Sequence, residues 1–252
     1  MIELAERLRS GERLVGTVVT MADPALAELV GSAIDFAWID LEHSALDISD
    51  LPGIAIGLRA AEAGALVRLP RWDTERLQPV LDAGVDGVVA PRVETSDQVE
   101  ELVRRLRYPP EGTRGFGPRR AGSYGRGRPP RPLCVVQVES QRAIERIEEI
   151  AAVENVDAIV IGTADLSHDL GCRGAITDTV CVAVEAVRAA AEASAVPFGI
   201  AAGEPQLIAQ LAGQTGTIGV LSVDVRLFAR AIDVASDELA RLLGARRALT
   251  RA

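Results

Sequence analysis

Short apolar runs alternate with amphipathic segments along most of the chain. Eight runs have the length and composition of buried strands, at residues 14–19, 35–41, 65–69, 87–91, 133–139, 157–162, 197–202 and 217–223. Between them, apolar residues recur at helical spacing, for example in 24–33, 74–84, 96–107, 141–153 and 177–194. Buried strands that alternate with helices are typical of a parallel sheet covered by helices. Eight repeats predict an α/β fold of the (β/α)8 TIM barrel type, as a single domain over residues 1–252.

Two segments depart from this alternation. Residues 107–132 are rich in Gly, Pro and Arg and predict a long loop, which either carries function, its arginines meeting an anionic substrate, or is a solvated connection. Residues 225–252 predict a C-terminal helix with one apolar face, which packs on its own barrel or on a neighbouring subunit. An open doubly wound sheet is the alternative fold, but no GxGxxG follows the first strand.

Composition excludes several classes of protein. The net charge of −9 argues against nucleic-acid binding. No apolar run is long enough to span a membrane, and the first residues predict an amphipathic helix, so we expect a soluble cytoplasmic protein. The 3 cysteines have no CxxC spacing, which argues against disulfides and zinc. All 27 basic side chains are arginines, so Schiff-base chemistry and a P-loop lysine are excluded.

Ionisable residues follow several predicted strands. In a TIM barrel, catalytic groups lie at the C-terminal ends of strands. Asp40 and His43 follow the second run, and a neutral imidazole there is suited to proton transfer near pH 7, with Asp40 close enough to orient the ring. Arg68 lies inside an apolar strand and needs an anionic partner, either a ligand or an internal carboxylate such as Asp40 or Glu42. We expect His168, in a loop before a helix, to be a surface residue.

Two carboxylates end neighbouring strands. Glu139 closes one apolar run, and Asp165 follows the next. Two carboxylates completed by water and substrate oxygens suit Mg²⁺ or Mn²⁺. A helix N-cap is the alternative role of Asp165, and a structural role is the alternative for His43.

Six motifs resemble those of the HpcH/HpaI aldolase family, the class II pyruvate aldolases. They are WIDLEHS, VRLP, LDAGVDGVVAPRVE, RYPPEGTRG, VQVES and IGTADLSHDLG, in order between about residues 16 and 225. The resemblance implies a (β/α)8 barrel, often a homohexamer with the C-terminal helix exchanged between subunits. It also implies a divalent metal ion, Mg²⁺, Mn²⁺ or Co²⁺, bound by Glu139 and Asp165, and cleavage of a 4-hydroxy-2-oxo acid to pyruvate and an aldehyde.

The resemblance also assigns roles to single residues. Arg68 would stabilise the enolate oxygen, and the pyruvate carboxylate would meet the backbone N–H groups of Ala164 and Asp165. His43 would move the proton of the aldehyde-derived hydroxyl through a metal-bound water, oriented by Asp40 and by Asp82 of a neighbouring subunit. The remaining implied contacts to substrate and metal are at Gln137, Gly162 and Thr163. Val18, in place of a frequent Trp, and Thr163, in place of Pro, depart from the family pattern and leave the aldehyde pocket open.

Three rival functions follow from the same residues. A CoA-ester lyase of the citrate lyase β-subunit type shares the barrel and the metal carboxylates, but it usually has an acidic string where this chain has DLEHS. A decarboxylase or another enolate enzyme would use the same metal and arginine. A non-catalytic barrel predicts loss of the ligands, which are all present.

Overall fold

A computed structural model describes residues 4–127 and 130–244. Its eight parallel strands form one closed barrel in sequence order, and β8 pairs with β1. The strands are β1 Leu14–Val19, β2 Phe36–Asp40, β3 Gly64–Arg68, β4 Gly87–Ala90, β5 Leu133–Val138, β6 Ala158–Gly162, β7 Phe198–Ala201 and β8 Ile218–Val223. The predicted TIM barrel is confirmed, and the doubly wound alternative is wrong.

One helix, α1, precedes the first strand, and the other helices follow the strands. They are α1 Leu4–Arg9, α2 Pro24–Gly31, α3 Leu51–Ala60, α4 Leu77–Asp82, α5 Ser96–Leu106, α6 Gln141–Ile144, α7 Ile147–Ala151, α8 Thr163–Asp169, α9 Asp178–Ala193, α10 Pro205–Ala212 and α11 Asp224–Leu243. Several begin at residues whose side chains accept backbone N–H groups, as the capping box of Thr95 and Gln98 shows at α5.

The strand residues alternate between two apolar layers. Inward-facing side chains such as Trp38, Leu66 and Val160 fill the barrel, and Leu4 and Leu8 of α1 close its N-terminal end. The residues between them pack outward against the helices, as Ile39 and its counterparts on other strands do. Because strand side chains alternate with a period of two, burial of both faces explains the near-continuous apolar runs in the sequence.

The segment at 107–132 contains one short 3-10 turn, Arg120–Gly125, among its described residues. Arg107 and Arg114 are buried, and Arg128 lies outside the described residues. One alternative was that the arginines of this loop meet the substrate. For Arg120 and Arg131 this alternative is wrong with respect to the substrate site of the same barrel. Both line a cleft beside Gly84 and Val85, which precede β4, and therefore lie at the N-terminal end of the barrel.

Helix α11 continues β8 and extends away from its own barrel. Asp224, at its start, is its one buried residue among those described, whereas Phe228, Val234, Leu239 and Leu242 are exposed. The predicted C-terminal helix is present, but it does not pack along its own barrel. The end of the predicted segment, 245–252, lies outside the described residues. None of the described helices combines the length and the apolar content needed to cross a membrane.

Candidate active site

The inward-facing positions become polar where the strands end. The series that fills the barrel with apolar side chains continues to Asp40 on β2, Arg68 on β3, Gln137 on β5 and Gly162 on β6. These positions share the C-terminal end of the barrel, which is the catalytic end in this fold. The strand register therefore brings together residues that are distant in the sequence.

Arg68 forms the centre of a charge network at this end. Its Nε and Nη2 atoms donate to the two carboxylate oxygens of Asp40, at 2.9 and 2.7 Å. Its Nη1 atom lies 3.4 Å from Oε2 of Glu42. The side chains of Arg68 and Asp40 are 11% and 2% exposed, so both charges are largely removed from water. The sequence left two internal partners open for Arg68, and the structure shows contacts with both Asp40 and Glu42.

Asp40 is held as an anion by this network. Burial alone would raise the pKa of its carboxyl, but the hydrogen bonds and charge of Arg68 outweigh burial and keep that pKa below its usual value. Asp40 also accepts hydrogen bonds from the backbone N–H groups of Glu42 and His43, at 2.9 and 3.4 Å. These bonds fix the turn that carries His43.

His43 lies at the open mouth of the site, with its side chain 61% exposed. Its Nε2 atom is 3.6 Å from Oε2 of Glu42, so the contact of the imidazole is with Glu42, whereas Asp40 bonds to the His43 backbone. Any orienting effect of Asp40 on the ring therefore acts through the turn. His168 is exposed, as expected, but it lies within α8 rather than in a loop.

Glu139 is the most perturbed acid of the site. It follows β5, is 4% exposed, and accepts hydrogen bonds from the Gln137 side-chain amide and from the backbone N–H of Arg92. Burial, with the nearby carboxylates of Glu42 and Asp165, raises the pKa of Glu139 to about 8. The raised pKa shows that the charged form of Glu139 is disfavoured at this position, first by burial and then by the neighbouring carboxylates.

Asp165 lies in the first turn of α8, directly after β6. The N-cap residue of α8 is Gly162, so Asp165 does not have the capping role that was its alternative. The hydroxyl of Thr163 donates to the carbonyl oxygen of Ala201 at 2.9 Å, which fixes the start of α8 to β7. Ala164 is exposed beside it.

Gly162 allows β6 to approach the two polar side chains of β5. A Cβ atom built on Gly162 would lie 2.7 Å from Gln137 Nε2 and 2.7 Å from Glu139 Oε1, closer than packing permits. The φ angle of Gly162 is −83°, so the glycine is required for space and not for backbone conformation.

We expect Gly162→Ala to displace Glu139 and to weaken binding of a divalent metal ion by tenfold or more, by analogy with other perturbations around metal ligands. Titration calorimetry with Mn²⁺ measures this effect. Gly203→Ala is the matched control, because its added Cβ would meet only the end of the Arg226 side chain, at 3.4 Å. Equal affinity of both variants and the wild type would contradict the close approach.

Asp82 ends α4 and lies towards the N-terminal end of its own barrel, away from His43. It accepts a hydrogen bond from Gln78 at 3.0 Å and contacts Arg114 at 3.5 Å. Any role of Asp82 in catalysis therefore requires a second subunit, as the resemblance implies.

Two contributors had no predicted role in the chemistry of the site, although the sequence offered Glu42 as a partner of Arg68. Glu42 contacts Arg68 and His43, and burial raises the pKa of its carboxyl. Its place in the motif WIDLEHS was the available signal. The backbone N–H of Arg92 reaches Glu139 from a residue with φ of 53°, a conformation that nothing in the sequence indicates.

The oxygen atoms around Glu139 are suitable ligands for a hard cation. Oε1 of Gln137 is buried without a hydrogen-bond partner beside the crowded carboxylates, so an acceptor oxygen is available there. Within residues 4–127 and 130–244, no group of three or more His, Cys, Asp or Glu side chains has the arrangement of a metal cluster. A cation held by Glu139 and Asp165 would complete its shell with other oxygens, as Mg²⁺ commonly does.

A family model and several known proteins match most of this chain. The family model for HpcH/HpaI aldolase/citrate lyase matches residues 16–231. The chain belongs to the HpcH/HpaI aldolase/citrate lyase family. It is similar to the hydroxypyruvate/pyruvate aldolase of Roseobacter denitrificans, with 37% identity over 66% of this chain and 69% of that protein. The 4-hydroxy-2-oxovalerate aldolase of Novosphingobium aromaticivorans is 36% identical over 81% of each chain.

A solved HpcH/HpaI family structure from Burkholderia cenocepacia J2315 has the same fold. The TM-score is 0.89 at 31% identity, covering 94% of this chain and 98% of the other. The HpcH/HpaI family consists of metal-dependent carbon–carbon lyases, so this chain is an enzyme of that class. The prediction of the family is confirmed, and the non-catalytic alternative is not supported.

Proposed function

We propose that this enzyme reversibly cleaves a 4-hydroxy-2-oxo acid to pyruvate and an aldehyde, using a divalent metal ion held by Glu139 and Asp165. The observation that carries the proposal is that the buried carboxylate of Glu139, which is crowded by other carboxylates, and the Arg68 network lie at the same end of the barrel. The metal, Mg²⁺, Mn²⁺ or Co²⁺, would supply positive charge that stabilises an enolate.

Arg68 is the protein group suited to bind the enolate oxygen. Asp40 occupies the edge formed by Nε and Nη2, which leaves N–H groups of Nη1 directed towards Glu42 and the site. A fixed guanidinium in a largely buried site stabilises developing negative charge without reorganising. The first backbone N–H groups of α8, at Ala164 and Asp165, would receive the pyruvate carboxylate, because helix N-termini favour anions.

His43 is the proposed base for the hydroxyl of the cleaved acid. Its exposed ring is accessible to an aldehyde entering from solvent, and its Nε2 atom lies 3.6 Å from Oε2 of Glu42. Asp82 of a second subunit would assist in orienting the ring. The close approach of Gly162 to Gln137, and the hydrogen bond from Thr163 to Ala201, would hold the floor of the substrate site.

The proposal is tested by a coupled assay in which lactate dehydrogenase reports pyruvate. With Mg²⁺ or Mn²⁺, the enzyme should release pyruvate from 4-hydroxy-2-oxovalerate, and a chelator should stop the reaction. Cleavage of a carbon–carbon bond of malyl-CoA instead would favour the CoA-ester lyase. Release of CO₂ from an oxo acid, without formation of an aldehyde, would favour the decarboxylase.

We also propose that the enzyme assembles as a homo-oligomer through α11, with the hexamer as the expected state. The apolar side chains of this helix extend beyond its own barrel, and a second copy offers the same apolar face. We further propose that residues 1–252 form a single domain and that the enzyme is located in the cytoplasm. Cys134, Cys172 and Cys181 are free thiols, which suits a reducing compartment.

We expect Leu239→Glu to dissociate the oligomer, because the glutamate would be buried in an apolar interface. Light scattering coupled to size-exclusion chromatography should give several times the 26.6 kDa chain mass for the wild type and a smaller particle for the variant. Arg241→Glu, on the polar face of α11, should leave the mass unchanged. A monomeric wild type would contradict the assembly.

A further inference from the structure

A cleft of about 480 Å³ lies at the N-terminal end of the barrel, opposite the active site. Its walls include Arg9 of α1, Arg59 at the end of α3, Arg120 and Ser123 of the 3-10 turn, and Arg131 just before β5. These elements all adjoin the starts of strands. The cleft is therefore separate from the carboxylates and Arg68 at the other end of the barrel.

The ion pairs around this cleft leave an excess of positive charge. Arg59 lies 3.2 Å from Asp86, while Arg9 and Arg131 share one carboxylate, that of Asp157, at 3.5 and 3.4 Å. Both carboxylates also accept backbone N–H groups. In the described part of the chain, the four guanidinium groups that line the cleft thus have two carboxylates as ion-pair partners, although the net charge of the whole chain is −9.

Within the part of the chain that the structure describes, Arg120 forms no ion pair, and its Nε atom is buried without a hydrogen bond. Its stem packs on Gly84, where an added Cβ would lie 2.7 Å from the Arg120 Cγ atom, so the guanidinium is held in place. Nearby, burial and the charge of Arg131 lower the pKa of Arg107, whose Nη2 atom is also without a partner. The buried N–H groups at Nε of Arg120 and Nη2 of Arg107 therefore have unused hydrogen-bonding capacity, which an anion would satisfy.

We propose that this cleft binds a small multivalent anion that carries phosphate or carboxylate groups. Guanidinium groups match both kinds of oxyanion through paired hydrogen bonds, and Ser123 adds a hydroxyl at the wall. A ligand with two or more charged groups would bridge α1, α3 and the arginine-rich loop. Neither the catalytic proposal nor the assembly through α11 uses this cleft.

Titration calorimetry of the full chain, at fixed ionic strength and with saturating Mg²⁺ and pyruvate, tests the proposal. The probes are fructose 1,6-bisphosphate for the phosphate source and propane-1,2,3-tricarboxylate for the carboxylate source. We expect one of them to bind with a dissociation constant below about 1 mM, and Arg120→Gln to weaken it at least tenfold. Arg131→Gln serves as a second variant if Arg120→Gln does not fold.

The matched control is Arg71→Gln, which removes the same charge from a side chain that is 76% exposed and paired with Asp73. This control should bind the probe as the wild type does. Absence of binding by both probes, equal weakening by Arg71→Gln and Arg120→Gln, or displacement of the probe by additional pyruvate would each overturn the proposal. None of these outcomes depends on the aldolase assay, so failure of the catalytic proposal is recognised separately.

Discussion

Glu139→Gln should abolish metal-dependent turnover, with a loss of three orders of magnitude or more in kcat/KM. The carboxamide has nearly the same shape but no charge, and a Lewis-acid cation contributes several kcal/mol to stabilisation of an enolate, about a thousandfold in rate. Pyruvate release and Mn²⁺ binding measure the effect. Glu148→Gln, on the exposed surface of α7, is the control and should keep full activity. Retained turnover in Glu139→Gln would remove Glu139 from the metal site.

The same substitution should change how the stability of the metal-free protein depends on pH. The pKa of Glu139 is raised from 4.5 to about 8, so the folded state binds this proton more tightly than the unfolded state does. The contribution of Glu139 to the free energy of unfolding is therefore fully present below about pH 4.5 and is lost as the pH rises towards 8. We expect the melting temperature of the metal-free wild type to fall over this range, and that of Glu139→Gln to fall less. Identical pH profiles would contradict the raised pKa.

Arg68→Met should have the second largest effect, on catalysis and on folding. Loss of one preorganised donor to an oxyanion typically lowers kcat by about 10² to 10³. The substitution also leaves Asp40, whose side chain is 2% exposed, without its partner, at a cost of about 3–5 kcal/mol in the free energy of unfolding. Chemical denaturation and steady-state kinetics measure the two effects on the same sample.

A second substitution separates these two effects. In Arg68→Met/Asp40→Asn the buried charge is removed with its partner, so stability should recover towards the wild type while turnover stays low. Arg68→Lys keeps the positive charge but loses the paired geometry with Asp40, so its activity should lie between that of Arg68→Met and the wild type. Recovery of turnover in the double variant would show that Arg68 acts only through the fold.

The depressed pKa of Asp40 gives this ion pair a defined pH range. Because the pKa of Asp40 is below its unfolded value, its contribution to stability is present above about pH 4 and disappears as the pH falls through the folded pKa. The Asp40 and Glu139 carboxyls therefore contribute in opposite directions, since Asp40 is paired with a cation, whereas Glu139 is buried and crowded by other carboxylates.

The barrel was predictable because each strand is buried on both faces and each helix on one. These two patterns gave strand positions that agree with the structure to within about two residues, as for β2 and β5. The polar residues of the site were predictable for the same reason. Asp40, Arg68 and Gln137 interrupt otherwise apolar inward series, and a buried polar residue needs a partner or a function.

Other features depend on tertiary contacts that no local pattern encodes. The contact of Glu42 with the His43 ring follows from the path of the turn after β2, and the Arg92 contact follows from a positive φ angle. The loop at 107–132 is without a periodic pattern, so its position at the N-terminal end of the barrel could not be inferred. The position of Asp82 likewise became apparent only from the end of α4.

The most direct test of the central claim is exchange of the pyruvate methyl protons with deuterium, followed by NMR. With Mg²⁺ or Mn²⁺, the enzyme should catalyse this exchange without any aldehyde, and a chelator or Glu139→Gln should stop it, because exchange requires only the stabilised enolate. A folded enzyme that binds metal but leaves the methyl protons unexchanged would contradict pyruvate enolate formation at Glu139, Asp165 and Arg68.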